Sequence, residues 1–203
     1  MGYSFIIPAT FLLSISLSQG QTIQRKSAET TEQFATRLKP RVRQLAHPVL
    51  ETTAWGGQKA IIALYGYDDT KDDNIGYNRI EGHIYLQESP GQYRNIAFGP
   101  IEEDGGYPEI LSVFFANSDT DAAKELIILC KYPQNHYDYE GAFYETFIFD
   151  NPGQKNQLTY LKKTSEKFTG CECDWRDGKT EIAKYKTAAA VKSRLKGLGF
   201  KQQ

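Results

Sequence analysis

The residues best suited to chemistry lie between 117 and 125. Asn117, Asp119 and Asp121 alternate along a polar stretch, and Glu125 follows four positions later, directly ahead of the apolar run 126–129. Alternating amide and carboxylate oxygens on a tight loop can converge on a hard cation such as Ca2+, which takes roughly six to eight oxygen ligands. A solvated acidic turn has the same pattern, and spacing alone does not separate the two. A second group surrounds the next connection: Tyr132, His136, Tyr137, Asp138, Tyr139 and Tyr144. Tyrosine offers a large, stiff contact surface with a polar tip, which suits binding of proteins or glycans. Tyr65, Tyr67 and Tyr77 flank another acidic stretch, 68–74. In both groups the alternative is that the rings cover sheet faces.

Catalytic patterns are absent from the sequence. There is no G-x-S-x-G, no H-E-x-x-H and no phosphate loop. Glu102, Glu103 and Asp104 could pair as carboxylates for glycoside chemistry, but three acids ahead of Gly105-Gly106 read more simply as a solvated loop. His136 beside Tyr137 and Asp138 reads as a structural donor or an exposed contact rather than a general base. Cys130 ends an apolar run as an ordinary buried thiol, while Cys171 and Cys173 form a C-x-C pair with structural or disulfide roles ahead of metal binding.

The run Asn117-x-Asp119-x-Asp121-x-x-x-Glu125-Leu126-Ile127 resembles the FG-GAP/VCBS-type calcium loop, D-x-D-x-D-G-x-x-D/E-L followed by a strand. With the Tyr137–Gly141 turn and the aromatic stretch 144–150, the likeness extends over roughly 35 residues. Asn117 stands where the pattern leads with Asp, and Ala122 where it has Gly. Similar secreted bacterial proteins, periplasmic lysozyme inhibitors among them, carry such a loop on a compact β-rich domain. The resemblance implies Ca2+ as a structural ion and a protein surface as partner.

These groups need elements to position them. Short apolar runs between turn signals predict strands at 60–65, 79–87, 93–98, 110–115, 125–131 and 143–149, with weaker ones at 158–162 and 167–173. Over 79–87, Ile80, Gly82, Ile84 and Leu86 face one way and Glu81, His83, Tyr85 and Gln87 the other, as in a half-buried strand. Ile127, Ile128 and Leu129 run continuously apolar, which predicts a central strand covered on both faces. Ahead of these, Phe34, Leu38, Val42 and Leu45 make one stripe of a helix across 27–47 that Pro40 kinks or divides. At the other end Ala188, Val191, Leu195 and Leu198 line one face of a second helix, in a region that Lys184, Lys186, Lys192, Arg194 and Lys196 make basic. The expected fold is mainly β (α+β): an antiparallel sheet, sandwich- or propeller-like, with N-terminal and C-terminal helices. Its expected parts are a signal peptide at 1–20, an N-terminal helical arm at 21–57 and a β-rich domain with the C-terminal helix at 58–203.

Residues 1–20 carry no charge, and their apolar run from Phe5 to Leu17 is short for a bilayer. Export to the periplasm or the outside follows, with no membrane span after cleavage; an ordered N-terminal element is the alternative. The balance of 24 Lys and Arg against 25 Asp and Glu excludes a strongly basic nucleic-acid binder. An apolar share of 40% excludes a disordered tail. The expectation is a secreted, non-enzymatic binding domain with a protein or glycan partner, of inhibitor or immunity type. The competing expectations are a cell-wall or polysaccharide hydrolase with paired carboxylates, and a structural module with a decayed calcium loop.

Overall fold

The computed structural model describes residues 22–39, 44–68, 78–102, 104–153 and 157–202. The signal-peptide expectation at 1–20, the acidic stretch after Asp68, and Pro40, Val42, Tyr77 and Glu103 lie outside the described residues. Strands make up 49% of the chain and helices 15%, so the protein is mainly β, with two antiparallel sheets, one strongly curled into a half-barrel.

The chain opens with β1 (Ile23–Gln24), α1 (Thr31–Leu38), β2 (Gln44–Leu45) and β3 (Leu50–Trp55). Three long strands follow: β4 (Gln58–Tyr67), β5 (Arg79–Ser89) and β6 (Gln92–Glu102). The first sheet has the order β1-β6-β5-β4-β2, with β3 also pairing with β4. Next come β7 (Glu109–Ala116), β8 (Glu125–Asn135), β9 (Tyr139–Phe149), α2 (Lys162–Ser165) and a 3-10 turn at Glu166–Phe168. β10 (Gly170–Trp175), β11 (Thr180–Glu181) and α3 (Ala188–Gly197) complete the fold. The second sheet has the order β11-β10-β9-β8-β7. Every neighbouring pair within it is antiparallel, β9 and β10 being joined through α2 and the 3-10 turn rather than by a hairpin.

The two sheets share one core. Ile62, Leu64, Ile84, Leu86 and Phe98 from the first meet Leu126, Ile128, Tyr132 and Phe149 from the second. Trp55 crosses between them: its Nε1 donates to the Lys124 carbonyl at 2.7 Å, and its ring stands edge-on to Phe115 at 5.3 Å. The run 127–129 is buried on both faces as its composition predicts, because Ile128 belongs to the shared core while Ile127 packs with Phe168, Val191 and Leu195 beneath α3.

The structure differs from the sequence expectation in several elements. The N-terminal helix is confined to Thr31–Leu38. It starts at a capping box in which the Thr30 hydroxyl accepts from the Gln33 amide and the Gln33 side chain accepts from the Thr30 amide. Leu45 belongs to β2 rather than to that helix, yet packs in the same cluster as Phe34 and Leu38. The segment 22–57 therefore contributes three strands to the first sheet. The second face of β5 is also covered: His83 and Tyr85 are buried, with Tyr85 beneath α1. The weak strand expected at 158–162 is one bridge at Tyr160 that leads into α2. The strand expected over 167–173 begins at Gly170, after the 3-10 turn.

Candidate functional site

The loop between β7 and β8 is folded by its own acidic side chains. The Asp121 amide donates to Asp119 Oδ1 at 2.8 Å, and the Ala123 amide donates to Asp121 Oδ1 at 2.7 Å. Short acidic side chains bind amides two residues on, which is why such a sequence turns here. Asn117 closes the loop by donating Nδ2 to the Asp121 carbonyl at 2.6 Å. The C-terminal tail reaches the same place, where Gln202 Nε2 donates to the Asn117 carbonyl at 2.7 Å.

Asp119, Asp121 and Asp150 each offer a carboxylate oxygen within 4.8 Å of the others, a group able to hold a metal ion. The sequence pattern points to the first two but not to Asp150, which arrives from the end of β9, 29 positions beyond Asp121 in the chain. Only the pairing of β8 with β9 brings it there, placing Phe149 opposite Leu126. Glu125 stands apart from this trio. It is fully buried, and its Oε2 accepts from both the Ser118 amide and the Ser118 hydroxyl, the latter at 2.9 Å. Burial, with the nearby charges of Asp119 and Asp121, pushes its carboxyl up to about 7 against the opposing pull of the Ser118 hydrogen bonds. Glu125 Oε1 and Asn117 Oδ1 are buried without a hydrogen-bond partner among the described residues. The three carboxylates of Asp119, Asp121 and Asp150 make an all-oxygen donor set, the kind that fits a hard divalent cation.

The second candidate set is divided by the structure. Tyr132 is buried in the core between the sheets, and Tyr144 packs with Ala142 and Ala183 on the opposite face. Neither can meet a partner. His136, Tyr137, Asp138 and Tyr139 sit together at the β8–β9 hairpin end, where the His136 amide donates to the Tyr139 carbonyl at 2.9 Å. The Asp138 amide donates to His136 Nδ1 at 3.3 Å, and the His136 ring lies 3.7 Å from the Asp138 carboxylate.

Sequence reasoning missed the neighbours that complete this tip. β10 pairs Trp175 with Tyr139, so the Trp175 ring lies 4.7 Å from the Tyr139 ring, which in turn stacks on His136 at 5.1 Å. Arg176 donates its amide to the Asp138 carbonyl at 2.9 Å and holds its guanidinium 5.4 Å from the centre of the Tyr137 ring. Tyr137 itself is 79% exposed. A tyrosine–tryptophan–arginine grouping over two adjacent hairpin ends is visible only once the β9–β10 register is known.

Of the expected carboxylate run, Glu102 ends β6 and is exposed, as is Asp104. The inward face of β9 holds a different carboxyl, Glu145, directly across from Cys130. Burial and the charge of Asp104 push Glu145 upward, against a hydrogen bond from Tyr132. Cys130 is a free, buried thiol raised well above its ordinary value by burial, and Cys171 and Cys173 are joined to one another. No helix among the described residues is long and apolar enough to cross a membrane. In comparisons with protein-family models, curated proteins and solved structures, the chain matches none of them.

Proposed function

We propose that this protein is a secreted, non-enzymatic binding module of inhibitor or immunity type, which engages a protein or glycan outside the cytoplasm through its aromatic tip. The observation that supports this most is the stack His136–Tyr139–Trp175 with Arg176 held over the exposed Tyr137. Exposed Tyr, Trp and Arg carry most of the energy in protein interfaces, and aromatic faces also take sugar rings. Because Tyr137 makes little contact with the rest of the fold, Tyr137→Ala combined with Arg176→Ala leaves stability within about 0.5 kcal/mol. The same pair lowers partner affinity by about tenfold or more. The check is affinity capture from periplasmic extract or culture medium, and in parallel on immobilised glycans, with wild-type and doubly substituted protein. Equal recovery by both, or no specific recovery by either, overturns the reading.

The same reading assigns Ca2+ to Asp119, Asp121 and Asp150, with Asn117 Oδ1 as a further oxygen and Glu125 behind them. The ion's part is structural: it holds the β7–β8 loop to the end of β9. An ion bound only by the folded chain raises apparent stability, by about 2.7 kcal/mol at a hundredfold excess over its dissociation constant. The melting temperature accordingly rises in millimolar Ca2+ relative to chelator, and Asp150→Asn removes most of that rise. Identical melting curves with Ca2+ and with chelator sink the assignment.

One observation favours a hydrolase instead, namely the raised Glu145 carboxyl facing the charge of Asp104. That reading requires Glu145→Gln to abolish an activity on cell-wall or polysaccharide substrates, and it fails if the wild-type protein releases no sugar ends from them.

A further inference from the structure

The chain is nearly neutral as a whole, with a formal charge of -1, yet its charge is unevenly divided. Residues 157–202 hold eleven Lys and Arg against five Asp and Glu, a surplus of six cations. This segment supplies the layer that covers the outward face of the second sheet. Phe168 from the 3-10 turn and Val191 and Leu195 from α3 pack together on Ile127 and Ile148, and Tyr185 stands edge-on to Phe168 at 5.2 Å.

The apolar side of that layer is consumed by packing, and its other side is cationic. Lys163, Lys167, Lys184, Arg194, Lys196 and Lys201 are all exposed and make no ion pair among the described residues. Val191 and Leu195 point inward, so Arg194 and Lys196 flank the exposed face of α3 from opposite sides. Lys192 adds a further cation beside the Phe114 ring, at 5.2 Å. Ile182 stands 73% exposed two residues before Lys184, while its neighbour Ala183 packs on this same face with Ala142 and Tyr144.

We propose that this layer is a docking surface for an anionic lipid bilayer. The cations are almost all lysines, which act as hydrated point charges rather than as the forked donors that read individual phosphates or carboxylates. They are spread over two helices and the segment between them, which matches a diffuse, extended negative surface rather than one strand of a polymer. Ile182 gives the layer an apolar side chain to enter the headgroup boundary, where a soluble polyanion offers nothing comparable. The surface lies on different elements from the aromatic tip and does not depend on the partner proposed there.

The test is sedimentation of the full chain with vesicles of phosphatidylcholine alone and of phosphatidylcholine mixed equally with phosphatidylglycerol, at low and at physiological salt. Binding is expected to the mixed vesicles only, and to weaken with salt. Each lysine near such a surface strengthens binding about fivefold, so Lys163→Gln, Lys184→Gln and Lys196→Gln together weaken it about a hundredfold. Ile182→Ser weakens vesicle binding further while leaving retention on a heparin column unchanged. All variants must melt with the wild type, which these exposed positions permit. Equal binding to both vesicle types, as an inserted apolar N-terminus would give, overturns the proposal. So does binding that survives the three substitutions. Retention on heparin without vesicle binding overturns it in favour of a soluble polyanion.

Discussion

His83 is the side chain whose surroundings most directly set a pH response. It is buried on the outward face of β5, edge-on to Tyr65 at 5.4 Å and stacked on Tyr85 at 6.0 Å, with Nδ1 2.9 Å from Asn95 Oδ1. Burial lowers its pKa below the usual histidine value, and Lys39 acts in the same sense, against the Asn95 hydrogen bond and Glu81. The imidazole is therefore held neutral in the fold, while an unfolded chain takes up its proton near pH 6.5. Between that value and the lower folded one the unfolded chain binds more protons at this site, so the contribution of His83 to stability falls as pH falls through this window and is constant above it. Glu125, whose raised carboxyl takes up a proton in the fold over the same range, acts in the opposite sense. The share of His83 is therefore read as a difference: the change in melting temperature from about pH 7 to pH 5.5 should be more positive in His83→Gln than in the wild type. An identical pH dependence in the variant and the wild type would leave His83 no part in it.

The first sheet depends on one close approach. Gly82 on β5 has no Cβ, and the Phe98 ring from β6 occupies that space: a Cβ there would lie 2.1 Å from the ring. Gly82→Ala should cost about 1–3 kcal/mol in urea unfolding, because Phe98 is packed against Phe149 at 4.9 Å and cannot simply withdraw. Adding Phe98→Leu should return part of that loss if the contact is the cause, whereas strictly additive losses would refute it. Elements of this kind explain what the sequence disclosed. Alternation and apolar runs located all six principal strands, because packing one or both faces of a sheet imposes that period directly on the chain. α3 was legible for the same reason, since Val191 and Leu195 sit one turn apart. The burial of β5 on both faces was not, because Glu81 and His83 look solvated until α1 and its neighbours are placed. Among candidate site residues, Asp119 and Asp121 share one loop and could be read together, while Asp150, Trp175 and Arg176 arrive through strand pairing over long sequence separations.

Across the molecule, the shared core and Trp55 tie the two sheets into one cooperative unit. The chain has only two tryptophans, Trp55 at the junction and Trp175 on the second sheet, so Trp55→Phe leaves a single fluorophore. In that variant, Trp175 fluorescence and far-ultraviolet circular dichroism should follow one coincident urea transition, with the unfolding free energy lowered by about 1–3 kcal/mol for the carbonyl of Lys124 left without its donor. Two separated transitions would show that the sheets unfold independently. The second sheet also ends at β7, whose residues between Glu109 and Ala116 carry no charge and include Leu111, 42% exposed. Such an edge is a template on which further chains can grow. The register slip between Ile110 and Ser112 interrupts that template near the start of the strand. The irregularity in β7 thus breaks the row of edge hydrogen-bonding groups on which a further strand would have to pair, with Leu111 as the residue left out of register.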